Sequence, residues 1–255
     1  MSGIRLLLHQ SRFERKVFWR NPAAVFFTVL LPLIFLFIFA TIFGNDEIEE
    51  RGVNTTTYYV PAILTLAVIS AATQSLAINL TQDRERGLLK RIRGTPLPAS
   101  VFVAGRVGNY LLISVLMVFL VATIGKLVYG VSIPDQTIPA VLVTLAVGAA
   151  SFCCLGFALT AAIPSEDSAP PIALAILLPL YFISGVFIPD SEIPEGVLQF
   201  ADFFPVRHFF EAFFTAWDPN TTGAGFEWGE LAIVAAWGIA GLLVAMRFFR
   251  WEPRH

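Results

Sequence analysis

Three places in this chain carry residues whose types and spacing could do chemistry, and in each the chemistry is binding. The first is Thr81-Gln82-Asp83-Arg84-Glu85-Arg86-Gly87-Leu88-Leu89-Lys90-Arg91-Ile92-Arg93-Gly94-Thr95-Pro96-Leu97-Pro98, the densest mixed-charge segment of the sequence. Leu88, Leu89 and Ile92 fall on one helical face with basic residues between them, and Gly94 and Pro96 stop the helix. A solvated loop needs neither Asp83 and Glu85 nor an apolar stripe. The pattern predicts a docking element, with the stripe in a partner's groove and Glu85 and Arg91 in charged contacts.

The second place is a helical face carrying Ala67, Ser70, Thr73, Gln74, Ala77 and Thr81 at spacings of three and four. Small residues at that spacing pack helices against one another in a membrane. The same face could be a partly polar wall of a transport path, and Gln74 points that way because a buried amide needs partners. Both readings stand at this level. The third place is Val206, Phe209, Phe210, Phe213, Phe214 and Trp217, with Arg207, His208, Glu211 and Thr215 opposite. This is an amphipathic helix with a heavily aromatic face. Pro194 and Pro205 divide its surroundings into two short helices. So greasy a segment is predicted to dip into the outer leaflet or pack on the spans, as re-entrant segments do.

Catalytic signatures are missing. The sequence has no phosphate loop, no H-E-x-x-H and no G-x-S-x-G. His9, His208 and His255 lie far apart, and the adjacent Cys153 and Cys154 sit inside an apolar run with no partner cluster, which predicts helix packing rather than a disulfide or metal site. No catalytic residue, metal or resident cofactor is expected, nor is a nucleic-acid partner.

What must position these residues is a membrane fold. Hydrophobic residues make up 56% of the 255 and charged ones only 14%, against about 25% charged in a soluble domain. Charge-free runs cover 23–43, 52–82, 107–125, 136–165 and 168–189, and a shorter one, Leu231 to Met246, lies between Glu230 and Arg247. A spanning helix needs about 20 apolar residues. The expectation is an all-α polytopic protein with six transmembrane helices in a single transmembrane domain over 1–255. Its parts are an N-terminal segment at 1–22, spans one to five within 23–189, the charged helix at 81–95, outer re-entrant helices at 190–228, span six at 229–249 and a tail at 250–255.

Lys and Arg set the orientation. Five precede the first span, six lie between Arg84 and Arg106, and three lie from Arg247 onward, so fourteen of seventeen fall on one side. That side is cytoplasmic by the positive-inside rule, which places both termini inside. Asp46, Glu47, Glu49 and Glu50 cluster on the other side. The first segment alternates Ile4, Leu7, Leu8, Val17 and Phe18 with basic groups and ends near Trp19. It reads either as an amphipathic helix on the cytoplasmic leaflet or as a simple basic anchor. Few charges lie mid-membrane, where proton- or ion-coupled transporters keep them. Energy for transport would then come from a separate subunit.

At this point the chain resembles the type-2 ABC exporter permeases, the class that includes drug-export and polysaccharide-export membrane subunits. Three segments carry the resemblance: Asp83 through Pro98, Ser184-Gly185-Val-Phe187-Ile-Pro189, and Ile193-Pro194 through Phe204-Pro205 with the helix to Trp217. It implies two permease subunits, as a homodimer or with a paralogue, and two copies of a separate ATP-binding subunit that would bind ATP and magnesium. Asp83, Glu85, Arg86, Gly87, Leu88, Leu89, Arg91, Ile92 and Arg93 would form the coupling helix. Ser70, Thr73, Gln74 and Ala77 on the second span, with Tyr181 and Ser184 on the fifth, would line the path. Phe204, Arg207, His208 and Phe210 would belong to the outer re-entrant gate. Arg207-His208 depart from the uncharged or aromatic residues of many relatives. The implied function is export of an amphipathic or lipid-linked molecule across a plasma or bacterial inner membrane. A non-transporting scaffold that recruits a cytoplasmic partner is the alternative.

Overall fold

The computed structural model describes residues 3–20, 22–43, 47–48, 51–95 and 97–253. Asp46, Glu49, Glu50, Pro96, Arg254 and His255 lie outside them. The described chain is almost wholly helical. A single two-stranded antiparallel pairing, β1 (Glu47–Ile48) with β2 (Val53–Asn54), is the β structure among the described residues.

Helix α1 (Gly3–Trp19) runs beside α7 (Ala99–Tyr129) and buries Glu14 and Phe18. Phe13, Val17 and Trp19 stay exposed among exposed Arg12, Arg15 and Lys16. The next element is continuous: α2 (Pro22–Val25), a π-helical turn (Phe26–Leu30) and α3 (Leu31–Phe43). Helix α4 (Thr55–Ile69) continues through a second π-helical turn (Ser70–Ser75) into α5 (Leu76–Glu85). The short α6 (Leu88–Arg93) follows, then α7, α8 (Ile138–Ala162) and α9 (Ala169–Ile183). Helices α10 (Glu195–Ala201) and α11 (Pro205–Trp217) precede α12 (Trp228–Phe248).

Among the described residues, four helical stretches are long and apolar enough to cross a membrane: 55–85, 100–129, 138–162 and 228–248. Two shorter apolar helices, Thr28–Ile42 and Ala169–Ile183, accompany them. The stretch from Thr55 to Glu85 is central, with 83% of its apolar window buried, against 28% for each of the helices ending at Tyr129 and Phe248. The chain is a multi-pass membrane protein whose hub is the long helix from Thr55 to Glu85.

The fifth apolar run, read from sequence as 168–189, is helical only to Ile183. Gly185 takes a φ of +80°, and a Cβ there would lie 2.9 Å from both Asp190 Oδ1 and a Phe210 ring carbon. Only glycine suits that turn. The hydroxyls of Tyr58 and Tyr59 hold it by donating to the carbonyls of Gly185 and Phe187, at 2.5 and 3.2 Å. Apolarity continues through 184–189, but the backbone turns away from the helix axis. Pro205 starts α11, whose rings at Phe209, Phe210, Phe213 and Phe214 are all buried against α4, α8 and α12.

Candidate functional site

Between α3, the α4–α5 helix and α9 lies a cavity of about 690 Å³. Leu31, Phe35, Leu66, Ile78, Leu174 and Leu178 supply apolar walls, while Ser70, Gln74, Asn79, Gln82 and Tyr181 supply sparse polar groups. Its size and mixed lining suit a drug-sized amphipath. The two π-helical turns face each other beside it, joined by a 2.9 Å hydrogen bond between the Thr28 and Ser75 hydroxyls. Such turns interrupt the regular ladder and recur at functional sites.

The wider turn at 70–75 also sorts the polar face that the sequence presents as one stripe. Ser70, Gln74 and Tyr181 line the cavity, and the Ser70 and Tyr181 hydroxyls lie 3.2 Å apart. Thr73 points to α8 instead, donating to the Phe152 carbonyl at 3.0 Å. Ala77 is fully buried with Ile163 and Ala169. Ser184 is also fully buried, and its hydroxyl has no hydrogen-bond partner among the described residues. Thr73 and Ala77 therefore pack helices, and Ser184 belongs to the turn after α9. Regular α-helical spacing placed Thr73 and Ala77 with Ser70 and Gln74, and the π turn breaks that spacing; Ser184 lies beyond the end of α9 at Ile183.

Aromatic rings close one end of the cavity around Phe187, whose ring lies 5.6 Å from Phe35, 5.9 Å from Phe39, 5.0 Å from Phe182 and 6.0 Å from Tyr181. Phe39 stacks on Tyr59 at 4.6 Å. Sequence reasoning quoted Phe187 only as part of a motif. A signal was present in a phenylalanine placed two residues after a turn glycine.

None of Phe204, Arg207, His208 and Phe210 lines this cavity. Phe210 is buried behind Gly185, 5.5 Å from the Tyr58 ring. Phe204 packs with Phe200, Phe203 and Trp237. Arg207 bonds Asp190 at 2.8 Å and Asp202 at 2.7 Å. Asp190 also accepts from Arg51, which grips Glu211 at 2.7 and 2.9 Å and lies over the Phe214 ring. His208 sits between the Glu230 carboxylate and the Asp202 carbonyl. The hydrogen bond to Glu211 raises the Arg51 pKa above its ordinary value. At Arg207 burial works against the charge, and the bond and attraction from Asp190 outweigh it, so its pKa also rises. Both arginines are firmly cationic. The gate residues expected from sequence thus form a brace behind the cavity's aromatic end. Arg51, Asp190 and Glu211, none of them among the gate residues expected from sequence, complete it.

At the other end the chain turns after α5. Gly87 adopts a φ of +70°, and α6 starts at Leu88. Leu89 is fully buried, Ile92 packs on the core, and Leu88 is half-buried. Leu89 therefore packs on its own chain, whereas the sequence pattern placed it on a docking stripe with the partly buried Leu88 and Ile92. The acids find partners within the chain as well. Asp83 pairs with Arg106, which also contacts Glu14 on α1 at 3.2 Å, and Glu85 pairs with Arg84 at 2.7 Å. Helical periodicity marks an apolar face without saying whether it meets the same chain or another.

What α6 presents outward is cationic: Lys90, Arg91 and Arg93 are exposed, as is Arg86, which lies 3.3 Å from Glu166. Arg84, missed as a site residue, is fully buried and donates to the carbonyls of Thr160 at 2.9 Å, Ile163 at 2.8 Å and Pro164 at 3.3 Å. It caps the C-terminus of α8, where a cation also suits the helix dipole. The base of α6 is thereby tied to α1, α7 and the α8–α9 turn.

A membrane-embedded helical bundle with an amphipathic cavity and a charged, outward-facing short helix is the build of a transport subunit. Comparison with known proteins agrees. Residues 6–216 match the model of the ABC-2 type transporter family, and the chain belongs to that family. It is 22% identical over 243 residues to YvfS of Bacillus subtilis (strain 168), named as a transport permease, covering 95% of this chain and 96% of that one. It is 27% identical over 195 residues to DrrB1 of Streptomyces coeruleorubidus, a daunorubicin resistance ABC transporter permease protein, covering 73% and 66%. The red-algal ycf38 of Porphyra purpurea, likewise named as a transport permease, is 23% identical over 224 residues, covering 84% and 76%.

Proposed function

We propose that this chain is the membrane-spanning half of an ATP-driven exporter, carrying an amphipathic or lipid-linked molecule out of the cytoplasm or to the outer leaflet. The observation that carries the reading is the cavity of about 690 Å³, apolar with a few amides and hydroxyls, set against the most buried helix of the bundle and stopped by aromatic rings. Family membership and the drug-resistance permease among the relatives support it.

In this reading six helical elements cross the membrane: α2–α3, α4–α5, α7, α8, α9 and α12. Both termini face the cytoplasm, since fourteen of seventeen basic residues lie on that side. Helix α1 rests on the inner leaflet, with Phe13, Val17 and Trp19 toward lipid. Helices α10 and α11 form the re-entrant element. The exposed apolar faces of α3 and α9 beside the cavity, Ile34, Phe37, Ile38, Leu174 and Leu178, meet a second permease subunit or lipid.

Helix α6 docks on an ATP-binding subunit through Lys90, Arg91 and Arg93, with Leu89 fixing it to the bundle. ATP and magnesium belong to that subunit, which is present in two copies. Closure of the ATPase pair pushes α6, and the buried Arg84 and Arg106 ties carry the motion into α8 and α7.

The decisive test is co-purification with an ATP-binding subunit of the ABC class, followed by ATPase stimulation across a panel of lipids and drugs. Association with no stimulation by any amphipath would favour a scaffold. An impermeant thiol reagent tests topology: a cysteine at Asn220 should react from outside and one at Arg93 should not. Position 45, a second choice for external labelling, lies outside the described residues.

A further inference from the structure

Where α1, the end of α5 and α7 meet, a second cavity of about 440 Å³ opens. Its character is opposite to that of the groove. Arg20, Arg86 and Arg106 line it together with Glu14 and Asp83, so three cations face two anions. Arg106 is committed to both acids. Two cations remain: Arg20, exposed and in no ion pair among the described residues, and Arg86, whose contact with Glu166 is long and solvent-exposed. A surface pair of that kind is weak and easily exchanged.

Two further observations point to a ligand. Asn79 and Gln82 line both cavities, so the charged pocket and the apolar groove meet along one pair of amides on α5. Asn109, only 3% exposed, lines the charged pocket, and its Oδ1 has no partner among the described residues. A buried amide oxygen left unpaired is uncommon and asks for a donor.

We propose that this pocket receives the phosphate-bearing head group of an amphipath whose apolar part lies in the groove. The inference rests on the groove being the substrate path. Guanidinium groups bind phosphate oxygens through charge-assisted hydrogen bonds, and Arg20 and Arg86 are available to supply them. A hydroxyl or amine on the same head would satisfy Asn109. A cationic head fits poorly, because both carboxylates are already engaged by Arg106 while the two remaining arginines repel it. A free phosphate compound would leave the apolar groove unused. The pocket lies on the arginine-rich side of the bundle, at the level of the inner leaflet, so a lipid-like molecule can slide in sideways with its head at its natural depth.

The test uses the permease purified with its ATP-binding subunit in dodecyl maltoside, which carries no phosphate. Two photoreactive probes share one diazirine-bearing acyl chain: a phosphatidylglycerol and a diacylglycerol. The phosphatidylglycerol should label groove peptides from α3 and α9 preferentially. The double variant Arg20→Gln/Arg86→Gln, altering two exposed side chains, should lower that labelling by roughly tenfold, the loss of a charge-assisted hydrogen bond. Diacylglycerol labelling should stay unchanged. Equal labelling by both probes in the unaltered protein, or a phosphate preference that survives the double variant, overturns the proposal. Displacement by glycerol 3-phosphate as effective as by unlabelled phosphatidylglycerol overturns the amphipath assignment. Labelling that persists unaltered during ATP turnover marks a resident lipid and overturns the assignment as cargo. Gln74→Trp separates the two readings. It should reduce labelling by both probes if the groove is the path. If it leaves labelling and export intact while the arginine variant still removes the phosphate preference, the path reading fails and the head-group pocket stands.

Discussion

The protein has charged clusters at both ends of its bundle, and they are built differently. At the α6 end the two arginines that brace the bundle, Arg84 and Arg106, are dry. Arg84 has no exposed side-chain surface and Arg106 about one-twentieth, and between them they hold three backbone carbonyls and three carboxylates. At the α11 end Arg51 and Arg207 share Asp190, and their partners range from 16% to 55% exposed. Buried charges lose far more when one partner goes than solvated ones do. The first cluster is suited to transmit force without yielding. The second, partly solvated and with Asp190 shared by two arginines, loses less when one partner is removed.

That contrast can be broken most directly at Arg84. Arg84→Met should leave the last carbonyls of α8 unsatisfied, remove the buried ion pair with Glu85 and cost about 3–5 kcal/mol. Thermal unfolding of the purified protein in detergent should show a large drop, with low membrane yield. Stability near that of the unaltered protein would mean the inner cluster is no more rigid than the outer one.

Next comes the hinge of the outer end. Gly185→Ala imposes a φ of +80° on an L-residue and presses its Cβ on Asp190 and Phe210; a strain of about 1–3 kcal/mol is expected. Export should fall more than protein abundance, because the turn carrying Phe187 is displaced. Equal losses of both would assign Gly185 to folding alone.

A smaller effect is expected within the outer brace. Arg207→Gln should cost about 1 kcal/mol or less, since Arg51 keeps Asp190 paired and Asp202 is solvated. A double-mutant cycle of Arg207 with Asp202 should give a coupling that shrinks as salt is raised. A salt-independent coupling of the size seen at Arg84 would erase the distinction between the two ends.

The smallest change in stability, and the sharpest in function, belongs to the groove. Gln74→Leu should leave unfolding within about 1 kcal/mol, because Gln74 is half-buried on the cavity wall, and should shift the ranking of exported substrates. Thr73→Val, which removes the bond to the Phe152 carbonyl, should lower abundance without altering that ranking. The reverse pattern would exchange the roles of the two residues.

Much of this molecule is legible in its sequence, because the membrane makes it so. Hydrocarbon tolerates only long apolar helices with satisfied backbones, so the apolar runs, the flanking arginines and the proline breaks before α11 mark most helix ends to within a few residues. Two runs depart from this: α7 begins at Ala99, ahead of the run at 107–125, because the buried Arg106 lies inside the helix, and Ser184 to Pro189 is as apolar as a helix but turns at Gly185. Hydropathy measures solvent, and it is blind to a glycine used for its φ.

The partners of side chains were not legible. Asp83, Glu85 and Leu89 look like a surface made for another protein, and the fold turns all three onto Arg106, Arg84 and the core. Ser70, Thr73, Gln74 and Ala77 form one stripe on an ideal helix, and a π-helical turn divides them between a cavity and α8. The sequence by itself determined a helical membrane protein, the order of its helices and the side on which its positive charge gathers, since those depend on local composition and on the bilayer. Tertiary structure alone decided which polar groups meet. Arg84 and Thr160, or Arg51 and Glu211, are separated by 76 and 160 positions, and no periodicity reaches that far.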